Sequence, residues 1–380
     1  MRGGQGAART PRGAGALDRR SVLRLGGAAA LVGTLPACEP DAVFSPRAGG
    51  WRRFETTTRL TLAREGAAAQ AWVPVPSLDE PGWSRAGEVR WETDADAVSL
   101  GTDRASGARF VHAAWRRGTG AGRLDVKAEA EARSRSVDLG APQGHAPLTP
   151  ADRARYLAPT ALIPTDGLVA ETAAVATSGA HGDLAKARAL YDWVVRNTAR
   201  NPKTRGCGPG DVGTMLAIGD LSGKCADINA LFVGLARASG LPARDLYGLR
   251  VAPSRFGYAS LGASSSDVTS AQHCRAGVYL DGLGWVPADP ADVRKVMLEE
   301  EAEPLPLRHP KVRAVRDALF GAWEGNWIAY NDAHDIALPG AEAGPVPFLM
   351  YPQAEVGGAR LDPLDPARFA YRIEARTLSA

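Results

Sequence analysis

Cysteine is scarce. The 380 residues contain four, Cys38, Cys207, Cys225 and Cys274, too few for a scaffold held by disulfides, so an apolar core has to supply the stability. Long apolar runs are missing as well: no segment of the body has the eighteen uninterrupted apolar residues of a membrane-crossing helix. There is no Gly-rich phosphate loop, no dinucleotide fingerprint, no internal repeat and no C-x-x-C pair. Charge of one sign is lacking too, although the net charge of +3 hides how it is spread. Residues 1–37 carry six arginines (Arg2, Arg9, Arg12, Arg19, Arg20, Arg24) against Asp18 alone. Taking those from the totals of 45 basic and 42 acidic residues leaves 39 and 41. A near-neutral body excludes nucleic acid as the main partner, because that binding rests on neutralising phosphates.

What is present reads as a globular chain. Hydrophobic residues make up 45% and charged residues 23%, and the length suits two or three domains. The N-terminus stands apart. Asp18-Arg19-Arg20-Ser21-Val22-Leu23-Arg24 precedes an apolar stretch from Leu25 to Leu35 and then Pro36-Ala37-Cys38. Charged region, short apolar region and small-residue cleavage site make residues 1–37 an export signal, too short in its apolar part to span a bilayer. The paired arginines resemble a bacterial twin-arginine signal, and Leu35-Pro36-Ala37-Cys38 resembles a lipobox, which implies lipidation of Cys38. The other reading is an ordinary signal cleaved near Ala37. Either way the mature protein is expected to be periplasmic or in the cell envelope, touching a membrane only through a lipid on Cys38.

In the body, short β-rich runs with Gly and Pro punctuation (Phe54 to Leu62, Ala71 to Val75, Val89 to Trp91, Arg109 to Val111, Leu124 to Val126) predict a small β-sandwich over residues 50–145. His112 and His145 have no neighbouring partner in sequence and read as structural or surface residues. From residue 148 the period turns helical. Leu184, Ala187, Leu190, Tyr191, Val194 and Val195 share one face, with Asp183 as the cap and Pro202 as the stop. A second helix is predicted from Cys225, with Ile228, Leu231, Phe232 and Leu235 spaced along it and Gly240 then Pro242 at its end. Strands follow at 245–251 and 276–280, and a turn at Asp281-Gly282 leads back through Trp285. Residues 254–272, rich in Ser and Gly, read as a surface loop. The acidic residues Asp292, Glu299, Glu300 and Glu301 read as a solvated helix face, since calcium-loop spacing is absent. A mixed helical and β extension occupies 296–380.

The chemistry concentrates in Ser222-Gly223-Lys224-Cys225-Ala226-Asp227. A thiol in the first turn of a helix meets the positive end of the helix dipole, which favours the thiolate, and Lys224 beside it adds to that. Gly223 reads as room for a close backbone approach. His273 supplies a base and acid, and Asp289 follows sixteen residues later. A hairpin turning at Asp281-Gly282 brings the carboxylate back beside the imidazole as its orienter.

These residues resemble the transglutaminase-like superfamily. The resemblance runs over Gly223-Lys224-Cys225-Ala226-Asp227, Leu235 to Arg244, His273-Cys274 and Tyr279 to Pro290, and more loosely over Gly325 to Asn331. It implies an α+β fold with a papain-like transglutaminase core over 148–295, close to the bacterial exported branch described as cysteine proteases. It also implies Cys225 as nucleophile, His273 as base and acid, and Asp289 as orienter. The expected activity is acyl transfer from an amide or peptide to water, as a peptidase or amidase, or to an amine, as a transamidase. Arg275 and Gly277 depart from the pattern, in which an aromatic and an acidic residue follow the histidine. Lys224, Arg275 and Trp285, which flank the trio, are the candidate substrate-binding residues, with Arg275 placed to meet a substrate carboxylate or to lower the pKa of His273. A non-catalytic peptide-binding protein on the same fold is the rival reading, with Arg275 as its symptom.

Three cysteines remain beyond Cys38. Pairing Cys207 with Cys274 is the arrangement that leaves Cys225 reactive, whereas a disulfide to Cys225 describes a redox-sensing envelope protein. A zinc set of Cys207, Cys225, Cys274 and His273 is disfavoured, because adjacent His273 and Cys274 point to opposite faces of a strand. No metal and no cofactor is therefore assigned. The expected partner is a protein or peptide substrate, and the residues specify no oligomeric state.

Overall fold

Alternating apolar and β-branched residues set the first layer of the structure, a computed structural model that describes Met1 and residues 43–142 and 144–379. The signal segment and Cys38 lie outside the described residues. Along the strand Gly122–Ala132, Leu124, Val126 and Ala128 turn inward while Arg123 and Lys127 face out, the period-2 pattern of a half-buried strand. That strand pairs antiparallel with Arg52–Leu62 and with Ser84–Thr93. The last strand, Ala370–Ser379, pairs on the far side of Arg52–Leu62. A second sheet is built from Ala97–Thr102, Arg109–Trp115, Ala69–Val75, Gln353–Val356 and Ala359–Arg360. Leu60, Leu62 and Leu124 of the first sheet and Val73, Val111 and Ala354 of the second enclose one apolar cluster. The expected sandwich is thus completed by strands from beyond residue 350.

Seven helices follow among the described residues: α1 Pro150–Leu157, α2 Gly167–Ala176, α3 Asp183–Asn197, α4 Val212–Ile218, α5 Cys225–Ala238, α6 Pro290–Glu299 and α7 Pro310–Ala318. Asp183 opens α3 as its first residue, with Gly182 at the cap. The helix ends at Asn197, five residues before Pro202, where Ala199–Arg200 turns to pair in parallel with Ser222–Gly223. Every residue of α5 from Cys225 to Arg237 is buried. A helix buried all round needs small residues where neighbours press closest. Ala226, Ala230 and Ala236 supply them, while Ile228, Leu231, Phe232 and Leu235 fill the core. Burying each large side chain contributes about 1.5–3 kcal/mol. Gly240, at φ +79°, takes the left-handed conformation that closes a helix C-terminus.

The helix α5 lies against a four-stranded antiparallel sheet in the order Gly284–Ala288, Gln272–Leu280, Ala243–Arg250, Trp327–Asn331. Its two central strands are buried at every residue. Beyond the helices, Leu249, Val251, Ile328 and Tyr330 pack on Phe54, Ala130 and Ile373 of the first β-sheet. Strand Trp327–Asn331, from the extension expected after residue 295, is therefore part of the core sheet. Residues 43–379 fall in one unit, and strands from both sides of the expected divisions share sheets.

Candidate active site

Two short-range effects fix Cys225. It is the first residue of α5, so its own N–H has no acceptor within the helix, and none is found among the described residues. Asp227, two residues on, turns back to accept the Lys224 N–H at 2.9 Å and the Gly210 N–H at 2.9 Å, which locks the helix entry. Burial pushes the Asp227 pKa up to about 6. This carboxylate also explains the glycines around it. A Cβ on Gly223 would stand 2.4 Å from Asp227 Oδ2, and one on Gly208, at φ +91°, 1.9 Å from it. Gly223 thus makes room for the capping carboxylate and not for the close backbone approach expected of it.

His273 enters on the strand Gln272–Leu280, held by the ladder from Ala243–Arg250 and by Trp327 Nε1, which donates to its carbonyl at 3.0 Å. Its Nε2 lies 2.8 Å from Asp289 Oδ2 and 3.4 Å from Asp292 Oδ1. Asp289 is the N-cap of α6, accepting the Asp292 N–H at 3.1 Å, and Asn229 Nδ2 of α5 reaches its Oδ1 at 3.2 Å. Asn229 also donates to the Cys274 carbonyl at 2.8 Å, tying nucleophile helix, histidine strand and orienter together. Burial and Arg250 push the His273 pKa down, but Asp292 and Asp289 outweigh them and the net shift is upward.

Around Cys225 three thiols converge. The sulfurs of Cys207, Cys225 and Cys274 lie within 4.8 Å of one another, and all three are free. The expected Cys207–Cys274 disulfide is not formed: the Cys207 thiol faces the Gln272 carbonyl at 3.3 Å and Cys274 Sγ faces Met350 Sδ at 3.9 Å. The neighbouring Cys207 and Cys274 thiols favour the Cys225 thiolate. With the His273 imidazole also close, the Cys225 pKa falls well below the ordinary thiol range despite burial. The Cys207 pKa rises chiefly through Cys225 beside it, and the Cys274 pKa rises chiefly through burial. Three sulfurs at this spacing can share a thiophilic ion, and His273 with Asp289 and Asp292 form a separate set of nitrogen and oxygen donors within 4.8 Å of one another. The three thiols belong to the zinc set disfavoured from sequence, and the fold gathers them from a turn, the head of α5 and the strand Gln272–Leu280.

The other expected site residues divide. Lys224 lines the cleft that holds Cys225 and His273, a cavity of about 630 Å³. Arg275 does not: it is 2% exposed, its Nη1 donates to the Glu324 carbonyl at 3.0 Å, and its guanidinium packs 4.8 Å from the Trp327 ring. Its Nε stands 3.8 Å from Asp289 Oδ2, a supporting charge behind the orienter. Trp285 is also outside the cleft, edge-on to Tyr156 and Tyr279 and 4.0 Å under the Arg244 guanidinium. The acidic run divides: Glu299 and Glu301 are exposed as expected, whereas Asp292 and Glu300 turn to partners within the fold. Asp292 is 2% exposed and meets Arg250 at 2.5 Å, while Glu300 accepts from Ser260 at 3.0 Å and Glu299 pairs with Arg200. The Ser-rich residues 262–271 form a wall of the cleft. Asn229, Arg250, Asp292 and Trp327 were missed because each acts through a partner far away in sequence.

Residues 170–290 match the transglutaminase-like superfamily. An uncharacterized protein of Haemophilus influenzae is 36% identical over 339 residues, covering 85% of this chain and 90% of its own. The solved structure named "Putative Cysteine Protease from Cytophaga hutchinsonii" superposes with a TM-score of 0.55 at 14% identity, over 88% of this chain and 93% of that one. At that identity the likeness speaks for the fold.

Proposed function

The chain belongs to the transglutaminase-like superfamily, and from that premise we propose that it is an exported cysteine enzyme acting on amide or peptide bonds through a Cys225 thioester. The observation that carries this reading is the buried His273–Asp289 bond of 2.8 Å beside a thiol whose pKa is held low. In the first half-reaction the Cys225 thiolate attacks the acyl carbon and the carbonyl oxygen takes the electron pair. The Cys225 N–H, which has no acceptor among the described residues, is the proposed donor to that oxyanion. His273 then passes a proton to the departing amine as the C–N bond breaks and the thioester forms. In the second half-reaction His273 takes a proton from water or an amine as it attacks the thioester, and the thiolate leaves. Asp289 holds the imidazole in orientation and offsets its charge in between.

Arg275 carried the rival reading of a retired, peptide-binding site, and its place under Trp323 and Trp327 accounts for it by packing. Export rests on the segment before Cys38, with lipidation of that residue as its anchor. No helix among the described residues is long and apolar enough to cross a membrane. Turnover of a peptide pool in ¹⁸O water, with and without an added dansylated amine, tests the activity. Label at new C-termini means hydrolysis, label from the amine means transamidation, and equal signal from Cys225→Ala would overturn the proposal. Mass spectrometry of the mature N-terminus tests the anchor: an unmodified peptide containing Cys38 overturns lipidation.

A further inference from the structure

The cleft over Cys225 has a charge pattern of its own. Five basic side chains line it, Arg200, Arg205, Lys224, Arg250 and Lys295, against one carboxylate, Asp267. That carboxylate is already bridged to Arg372 at 3.2 Å. Three further acids pair with these cations. Asp362 meets Arg205 at 2.8 Å, Asp292 meets Arg250 at 2.5 Å, and Glu299 serves both Arg200 and, at 3.9 Å, Lys295. Lys224 has no ion pair among the described residues. Four of the five cations thus share three carboxylates, Lys224 has none, and Asp292 divides itself further with His273.

The surplus sits beside the nucleophile. Arg200 is the register partner of Gly223, and Lys224 precedes Cys225 directly. Lys295 lies on α6, the helix that Asp289 caps. Burial, then Arg250 and Arg200, push the Lys295 pKa down to about 8, as expected for an ammonium short of a counter-charge. One neutral donor points the same way. Gln272 is 8% exposed, lines the cleft next to His273, and its Nε2 has no hydrogen-bond partner. A buried amide N–H₂ left unpaired costs free energy until a ligand oxygen meets it.

We infer that this cleft recognises an acyl donor that carries a carboxylate near the scissile amide, held by Lys224, Lys295 and Arg200 and met by Gln272. The inference rests on Cys225 being the reactive thiol. It moves the anion-binding role away from the sealed Arg275 to the open wall of the cleft. A cationic, partly enclosed cleft concentrates anions and repels cations, so acidic peptides enter where basic ones do not.

Carboxymethylation tests this without a known substrate. The rates at which iodoacetate and iodoacetamide label Cys225 are measured on the mature chain, with free cysteine as the reference thiol. The expected iodoacetate-to-iodoacetamide ratio exceeds that of free cysteine by about tenfold and shrinks as salt rises. It falls several-fold in Lys224→Gln and in Lys295→Gln, and is retained in Lys224→Arg and Lys295→Arg. The iodoacetamide rate in each variant reports that the site is intact, and His273 is present in every variant, so its own charge cancels in the comparison among them. A ratio equal to that of free cysteine, or one that neither Gln variant moves, overturns the inference while leaving the nucleophile in place. Slow labelling of Cys225 by both reagents overturns the nucleophile reading and the inference with it.

Discussion

His273 Nε2 bonds Asp289 Oδ2 at 2.8 Å although the two residues are not cross-strand partners. The ladder between Gln272–Leu280 and Gly284–Ala288 ends at Ala276 and Ala288, and Asp289 is already the cap of α6. The carboxylate therefore serves two masters, a helix and an imidazole, and α5 holds it through Asn229. Asn229 is fully buried and bonds Asp289, the Cys274 carbonyl and the Ala291 N–H. Asn229→Ala should cost about 1–3 kcal/mol of stability through unpaired buried groups. It should also move the Cys225 labelling profile, which a purely structural residue would leave in place. Chemical denaturation and pH-dependent alkylation read the two effects.

Cys207 and Cys274 should tune Cys225 without being nucleophiles. Their thiols lie within 4.8 Å of its sulfur and favour its thiolate. Cys207→Ala is expected to shift the alkylation midpoint of Cys225 to higher pH, and Cys274→Ala in the same direction. Unchanged midpoints in both variants would leave His273 and the helix terminus as the sources of activation. From the same proximity, oxidative loss of the Cys225 thiol should be reversible by dithiothreitol, with a disulfide to Cys207 or Cys274 in the peptide map; irreversible loss would contradict it.

Asp245 gives a stability test. It is 1% exposed, neither carboxylate oxygen has a hydrogen-bond partner, and burial pushes its pKa up to about 7 against the pull of Arg237. A pKa raised in the folded state means the stability is present at low pH and lost as the pH rises. From the unfolded value of about 4 up to about 7, the loss is on the order of 1 kcal/mol per pH unit, and it levels off above. Asp245→Asn should therefore raise Tm more at pH 8 than at pH 5. An equal change at both would contradict the assignment.

Much of this site was legible in the chain because its signals are local. The 3.6-residue spacing of Ile228, Leu231, Phe232 and Leu235 and the stop at Gly240 gave α5 with Cys225 at its head, and Asp281-Gly282 gave the hairpin after His273. What stayed hidden depends on pairing across long stretches of sequence. Arg250 finds Asp292, Trp327 finds the His273 carbonyl, and Ala370–Ser379 pairs with Arg52–Leu62 at the other end of the chain. Periodicity carries no information about such partners. Arg275 was misplaced for a related reason. Its neighbour His273 reaches the cleft, but the rings that receive the guanidinium, Trp323 and Trp327, come from residues some fifty positions away.

Arg275 should accordingly behave as a support. Arg275→Leu removes the bond to the Glu324 carbonyl and the contact with Trp327, and should cost about 2 kcal/mol, as the loss of desolvated cation–π and hydrogen-bond partners does. Tm should fall. The preference for anionic over neutral alkylating agents should stay, since the guanidinium does not line the cleft. Loss of that preference would return Arg275 to the binding surface.

The most direct measurement is alkylation of the purified mature protein with limiting iodoacetamide from pH 5 to 9, with the labelled cysteine mapped and His273→Ala run in parallel. Two pH units below a pKa of about 8.5, roughly one thiol in a hundred is ionised. The expected result is fast labelling of Cys225 already near pH 6, lost or shifted upward in His273→Ala. Slow labelling that tracks an ordinary thiol and ignores His273 would contradict an assembled Cys225–His273–Asp289 site.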